Sequence, residues 1–253
     1  MADDSDANVE ALRRLDALTR RLRRECPWDR EQDERTIVPH TVEEAYELAD
    51  AAQRRDDAKL LDELGDLLYQ SFFLALLLQE RGTGDLEAAA RAIHTKLVAR
   101  HPHVFGDAEA KDAEHVRERW EALKRDQEGR EGIFHDVPEG LPALSYAQKV
   151  QVRARAVGFE YPDLAGAIAD LDDELRELKE DFAPDELGDV LFATVNVARK
   201  LGVDPELELR AAAKRFRVRV ESAEALAAAE GKDWTKLTLS DQDAYYDRAK
   251  ERP

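Results

Sequence analysis

One heptapeptide constrains this chain more than any other feature, because it occurs twice. Glu63-Leu-Gly-Asp-Leu-Leu-Tyr69 opens a strongly apolar stretch, and Glu186-Leu-Gly-Asp-Val-Leu-Phe192 opens another in the second half. Self-similarity at this scale points to internal duplication, so the chain is expected to build one unit twice. Each copy is preceded by an acidic segment and followed by a basic one. Two domains are therefore expected, over 1–127 and 143–253. The Gly- and Pro-rich stretch 128–142, which lacks a sustained period, should link them.

Local signals are helical throughout. Ala, Leu, Glu and Arg dominate, while Gly (12) and Pro (9) are scarce, which favours helix over strand. Leu12, Leu15, Leu18 and Leu22 mark one face of a first helix ending before Pro27. Thr41 followed by Glu44 reads as a capping box opening a second. Arg54-Arg55-Asp56-Asp57 is then a turn, and a third helix runs over 57–80 to stop at Gly82. Asp85 caps a fourth, which ends before His101-Pro102, and a fifth covers 112–128. Further helices are expected over 142–156, 164–181, 185–201, 204–230 and 241–251. Only the surroundings of Phe134 and Val137 look faintly strand-like. The fold class expected is all-α, each half built round an antiparallel helix hairpin.

The hairpin gives the acids a purpose. Residues at i and i+3 share a helix face, so Glu44 projects with Glu47 and Glu63 with Asp66. Folded back on each other, the two helices bring four carboxylates together. Converging anions repel and are costly to desolvate. A hard divalent cation removes that penalty, and an all-oxygen ligand set suits Mg²⁺, with Mn²⁺ as substitute. The second half offers Glu174, Glu177, Glu186 and Asp189 in the same order, with a shorter spacer that Pro184 must turn quickly. Most of the 56 acidic residues need no such role and serve as solvated helix faces. Gly65, between Glu63 and Asp66, is unfavourable in a helix by about 1 kcal/mol relative to Ala, which suggests a close helix approach there.

Basic and aromatic residues follow at helical spacing. Lys96 and Arg100 are i,i+4, as are Arg215 and Arg219. Trp120 with Lys124 closes the first half, and Tyr246 with Lys250 the second. The cations suit phosphates, and the aromatics suit a base or sugar.

Bulk properties exclude several classes. A net charge of −18 disfavours nucleic acid and anionic membrane surfaces as partners. One cysteine, Cys26, permits no intrachain disulfide and fits a reducing compartment. The charged N-terminus lacks a signal-peptide core, and the apolar run Leu67–Leu78 is too short to span a bilayer. A cytoplasmic protein is expected.

In this ordered set the sequence resembles the MazG family of nucleoside triphosphate pyrophosphohydrolases. Glu43-Glu44-Ala-Tyr-Glu47 with Glu63-Leu-Gly-Asp66 matches the family's Glu-Glu-x-x-Glu and Glu-x-x-Asp, as does Asp173-Glu174-Leu-Arg-Glu177 with Glu186-Leu-Gly-Asp189. Cys26-Pro-Trp-Asp-Arg-Glu-Gln32, Lys96-Leu-Val-Ala-Arg-His-Pro-His-Val-Phe105 and Val157-Gly-Phe159 also resemble family segments. The resemblance implies tandem helical domains completed as bundles in a homodimer. It implies Mg²⁺-dependent cleavage between the α- and β-phosphates, with broad use of ribo- and deoxynucleoside triphosphates. It assigns metal ligation to the two carboxylate quartets and nucleotide contacts to the eight basic and aromatic residues above. The sequence departs from the family pattern at His40 and Asp170, where a Lys is frequent, and at Asp173 and Tyr246. Family precedent points to the second copy as the hydrolytic one, whereas completeness of residues points to the first.

The mechanism expected is attack by water on the α-phosphorus, with Glu43 or Asp173 orienting that water or taking its proton. Three alternatives stand beside it. One is a narrower enzyme of the same fold, acting on dCTP, dUTP or a phosphoribosyl nucleotide. Another is a non-catalytic helical regulatory module. The third, a carboxylate-bridged di-iron bundle, requires Glu-x-x-His pairs, and neither quartet is followed by one.

Overall fold

The structure, a computed structural model, describes residues 2–108, 132–134 and 137–251. The chain divides into two compact units, Met1–Val116 and Arg117–Pro253. The first holds α1 (Ala2–Glu25), α2 (Pro27–Glu31), α3 (Glu34–Arg54), α4 (Asp57–Glu80), α5 (Leu86–Arg100) and α6 (Pro102–Phe105). The second holds α7 (Ala143–Arg155), α8 (Leu164–Asp181), α9 (Pro184–Leu201), α10 (Pro205–Ala229), a 3₁₀ turn (Trp234–Lys236) and α11 (Leu239–Lys250). No strand occurs among the described residues, and Phe134 lies in a turn. No described helix is long and apolar enough to cross a membrane. The expected helix over 112–128, most of the linker, and Trp120 and Lys124 lie outside the described residues.

Side-chain caps set most helix starts. Asp85, Asp163 and Asp204 each accept a backbone N–H from the first turn of α5, α8 and α10, satisfying donors the helix leaves orphaned. The start of α3 differs from expectation. It begins at Glu34, not after Thr41, because Asp33 accepts from the backbone N–H of Arg35 and Thr36 while the Thr36 hydroxyl accepts from the Asp33 N–H. Thr41 donates its hydroxyl back to the Ile37 carbonyl at 3.3 Å. Pro39 sits inside the helix and removes one backbone bond without ending it.

The turn between α3 and α4 is two residues long. Arg55 adopts a left-handed conformation (φ 56°, ψ 38°) and Asp56 caps α4 through the Lys59 N–H. The chain therefore reverses, and the contacts run in antiparallel register: Glu47 lies 4.0 Å from Lys59, and Glu44 brings a carboxylate oxygen within 4.8 Å of one on Glu63 further along. Phe182 (φ 51°) plays the part of Arg55 between α8 and α9, with Pro184 at the first turn of α9.

In the first unit Ile37 of α3 and Phe73 and Leu77 of α4 are buried together, with Tyr69 and Leu74 against them. Arg23 of α1 grips Glu80 with two guanidinium nitrogens. Tyr69 donates its hydroxyl to the buried Asp29 carboxylate at 2.7 Å, which together with burial pushes the phenol pKa up. The second unit gathers Ala223, Leu226, Ala227, Tyr245 and Ala249, with Trp234, Leu237 and Tyr246 against them, while α9 packs on α8 and α7. Apolar residues also remain outside: Leu61, Leu64 and Leu68 on α4, and Leu187 and Leu191 on α9, are exposed.

Candidate functional site

Each hairpin brings three carboxylates to one point. Ligand oxygens of Glu44, Glu63 and Asp66 lie within 4.8 Å of one another, and so do those of Glu174, Glu186 and Asp189. The reason is local: i,i+3 on α4 and α9 sets one pair, and the facing helix supplies the third acid. Glu47 lies outside that trio, but the nearby Glu63 carboxylate raises its pKa. Glu177 contributes its charge to Glu174 and Glu186, but its oxygens are outside the close trio.

The first trio is crowded. Burial, the nearby Glu63 carboxylate and the charge of Asp66 push Glu44 up to about 7. Glu63, buried at 1 % exposure, goes the other way: its ion pair with Lys59 lowers its pKa against the pull of burial. Lys59 also reaches Asp62 at 3.1 Å, so a cation of the chain lies on this cluster. In the second trio, burial first and then neighbouring carboxylates raise both Glu174 and Glu186. There the residue one turn before Glu186 is Phe182, exposed and uncharged. Oxygen-only donors at this spacing, with one acid held near neutrality by its neighbours, fit a hard divalent cation.

The residues expected to handle water stand at the edge. Glu43 faces His40, at 3.7 Å, and Asp173 bonds Arg176 at 2.7 Å, both on exposed helix faces. The basic residues are less uniform than their spacing suggested. Lys96 is exposed on α5 and Arg100 is buried. Arg215 is exposed and Arg219 half-buried on α10. Tyr246 packs against Phe216, and the Lys250 ammonium lies 4.9 Å from its ring centre. Gly65 and Gly188 have open space where a Cβ would point, so the expected close approach does not occur within the described residues.

A cavity of about 610 Å³ adjoins the second trio, with Glu174 in its wall beside Gln151, Phe159, Tyr161 and Phe192. The segment carrying Phe159 and Tyr161 is pinned by Glu160, which bonds Arg199 (2.8 Å) and pairs with Lys200 (3.0 Å). Burial alone would raise the Glu160 carboxyl, but these two cations overcome it and hold it at about 2. Tyr161 donates to Asp170, one turn ahead of Glu174, at 2.6 Å. In the first unit Trp28 lies edge-on to His40, one turn ahead of Glu44, with ring centres 5.9 Å apart. Both halves thus set an aromatic segment beside the helix that supplies the first acid. Lys59, Glu160 and Gln151 are not singled out by any motif in the sequence. Only the nearness of Glu160 to the Gly-Phe segment hinted at a role.

Comparison with known proteins places the chain in a family. Residues 32–105 match the MazG nucleotide pyrophosphohydrolase domain. The nucleoside triphosphate pyrophosphohydrolase of Escherichia coli is 39 % identical over 257 residues, covering 96 % of this chain and 98 % of the relative. The chain belongs to the MazG family. The Thermotoga maritima nucleoside triphosphate pyrophosphohydrolase/pyrophosphatase MazG is 37 % identical over 231 residues, 89 % of each chain. A solved mazG-related protein from Thermotoga maritima aligns with 45 % of this MazG chain and 98 % of its own, at 29 % identity and a TM-score of 0.40. The domain match contains the whole first carboxylate cluster, and the two relatives extend the likeness across both units.

Proposed function

We propose that this MazG protein hydrolyses nucleoside triphosphates, ribo- and deoxyribo-, to the monophosphate and pyrophosphate with the help of Mg²⁺, for which Mn²⁺ can substitute. The observation that carries the reading is the pair of carboxylate trios, each with its oxygens within 4.8 Å, in a chain whose full-length relatives bear that activity in their names. Glu44, Glu47, Glu63 and Asp66 would hold the ion in one unit, and Glu174, Glu177, Glu186 and Asp189 in the other. When bound, Mg²⁺ supplies charge neutralisation for the triphosphate and makes water near it more acidic.

The rest falls to the chain. Water attacks the α-phosphorus, the bond to the bridging oxygen breaks, and pyrophosphate leaves with the electron pair. Glu43 or Asp173 takes the proton or orients the water. Lys96 and Arg100, or Arg215 and Arg219, steady the leaving phosphates. Trp120 with Lys124, or Tyr246 with Lys250, lies along the nucleoside. Catalysis of this kind is chiefly positioning and electrostatics. The exposed leucines of α4 support assembly as a homodimer, since a contiguous apolar face is seldom left to water.

Product analysis tests the chemistry: ATP with Mg²⁺ should yield AMP and pyrophosphate, and the appearance of ADP and phosphate would overturn the proposal. Glu63→Ala and Glu186→Ala, made separately, assign the hydrolytic copy by which one loses turnover.

A further inference from the structure

The cavity beside Glu174 is a site within the second unit that the carboxylate chemistry does not use. We infer that it is a nucleobase pocket, and that Gln151 makes it favour bases carrying an exocyclic amino group. The inference rests on the triphosphate reading, since Glu174 belongs both to the trio and to the cavity wall. A triphosphate held at the trio places its nucleoside within reach of this space. At about 610 Å³ the cavity falls within the usual range for small-molecule sites of roughly 300–1,000 Å³. Its walls are aromatic: Phe159, Tyr161 and Phe192 all line it, and Phe159 is 82 % exposed. An unburied phenylalanine on a segment pinned by ion pairs is a ready surface for a flat ring to stack on.

Gln151 supplies the selectivity. It lines the cavity and is 7 % exposed. Its Nε2 donates to the Phe192 carbonyl at 2.8 Å. A carbonyl only accepts, so the amide orientation is fixed and Oε1 is the group left over. That oxygen is buried without a hydrogen-bond partner, a costly state that a ligand donor relieves. The amino group of adenine or cytosine is such a donor. The oxo group of hypoxanthine or uracil at the same place sets acceptor against acceptor.

Equilibrium binding of AMP and IMP by calorimetry, together with kcat/KM for ATP, ITP, CTP and UTP, tests this on the full-length protein. Wild type should favour AMP over IMP, and each amino base over its oxo partner, by about tenfold. Gln151→Leu should bring those ratios close to one. Ala154→Phe, which fills the cavity and leaves the Gln151–Phe192 bond in place, should weaken AMP binding by about tenfold with unchanged helicity. Equal binding of AMP and IMP by wild type, or ratios that persist in Gln151→Leu, would overturn the inference. The two readings fail separately. Preference for AMP without release of AMP and pyrophosphate from ATP would sink the hydrolytic proposal alone. Normal hydrolysis with no amino preference would sink the pocket alone.

Discussion

Glu160 shows how one side chain can hold a site segment in place. Its carboxylate is half-enclosed and gripped by Arg199 and Lys200, and its pKa of about 2 lies below its value in an unfolded chain. A depressed pKa contributes stability that is present above the unfolded value and lost as pH falls toward the folded one. Acid unfolding should therefore show this contribution disappearing between about pH 4.5 and pH 2. Replacing Glu160 with Gln should lower stability by about 3 kcal/mol at neutral pH and flatten the acid limb, read by urea titration at several pH values. A variant as stable as wild type at pH 7 would refute this role. Such roles are hard to see in sequence because each partner is an ordinary surface type. Arg199 lies far along the chain from Glu160, and nothing in the spacing of Gln151 distinguishes it from other helical glutamines.

Helices were legible where the chemistry is local. The span 57–80 follows directly from Asp56, the apolar run and Gly82, and Asp85, Asp163 and Asp204 cap the helices they precede. The start of α3 was misplaced because two competing caps lie close together, and the pair Asp33 and Thr36 satisfies more backbone donors than Thr41 can. Asp33→Ala should therefore destabilise the first unit by about 1 kcal/mol, and Thr41→Ala much less, as thermal melts would show. Turn conformation was also hidden. Phe182 occupies a left-handed position that bulky side chains resist, and it is 79 % exposed. Glycine there should raise stability by about 1 kcal/mol, and a loss of stability on Phe182→Gly would mean that the ring is held by contacts the isolated chain does not make.

At the scale of the molecule, the repeated Glu-Leu-Gly-Asp marked both places where acids gather. Sequence also showed that the two gatherings differ, through the shorter second spacer and the departures at Asp170 and Asp173. It did not show that Lys59 lies against Glu63 in the first, which depends on how the turn places it. Mg²⁺ should raise the melting temperature of the wild-type protein, and the Glu63→Ala, Glu186→Ala double variant should lose that rise. Saturation at about a hundred times Kd corresponds to about 2.7 kcal/mol. The leucine face of α4 makes a further prediction. Leu64→Asp should shift the protein to a smaller species in sedimentation, whereas persistence of wild-type size would remove that face from the interface. Gly65 lies beside it with open space around it, so Gly65→Ala should stabilise an isolated chain by about 1 kcal/mol and weaken association if a second copy packs there.

Lys59 has a consequence for how such a protein can change over generations. It leans on Glu63 while Phe182 stands at the matching place in the other half, so the first cluster has a cation of the chain against it where the second has an apolar ring. Under the proposed metal binding, exchange at position 59 would retune the affinity of one half with every carboxylate left where it is. Two halves with matching ligands could in this way suit different ionic conditions.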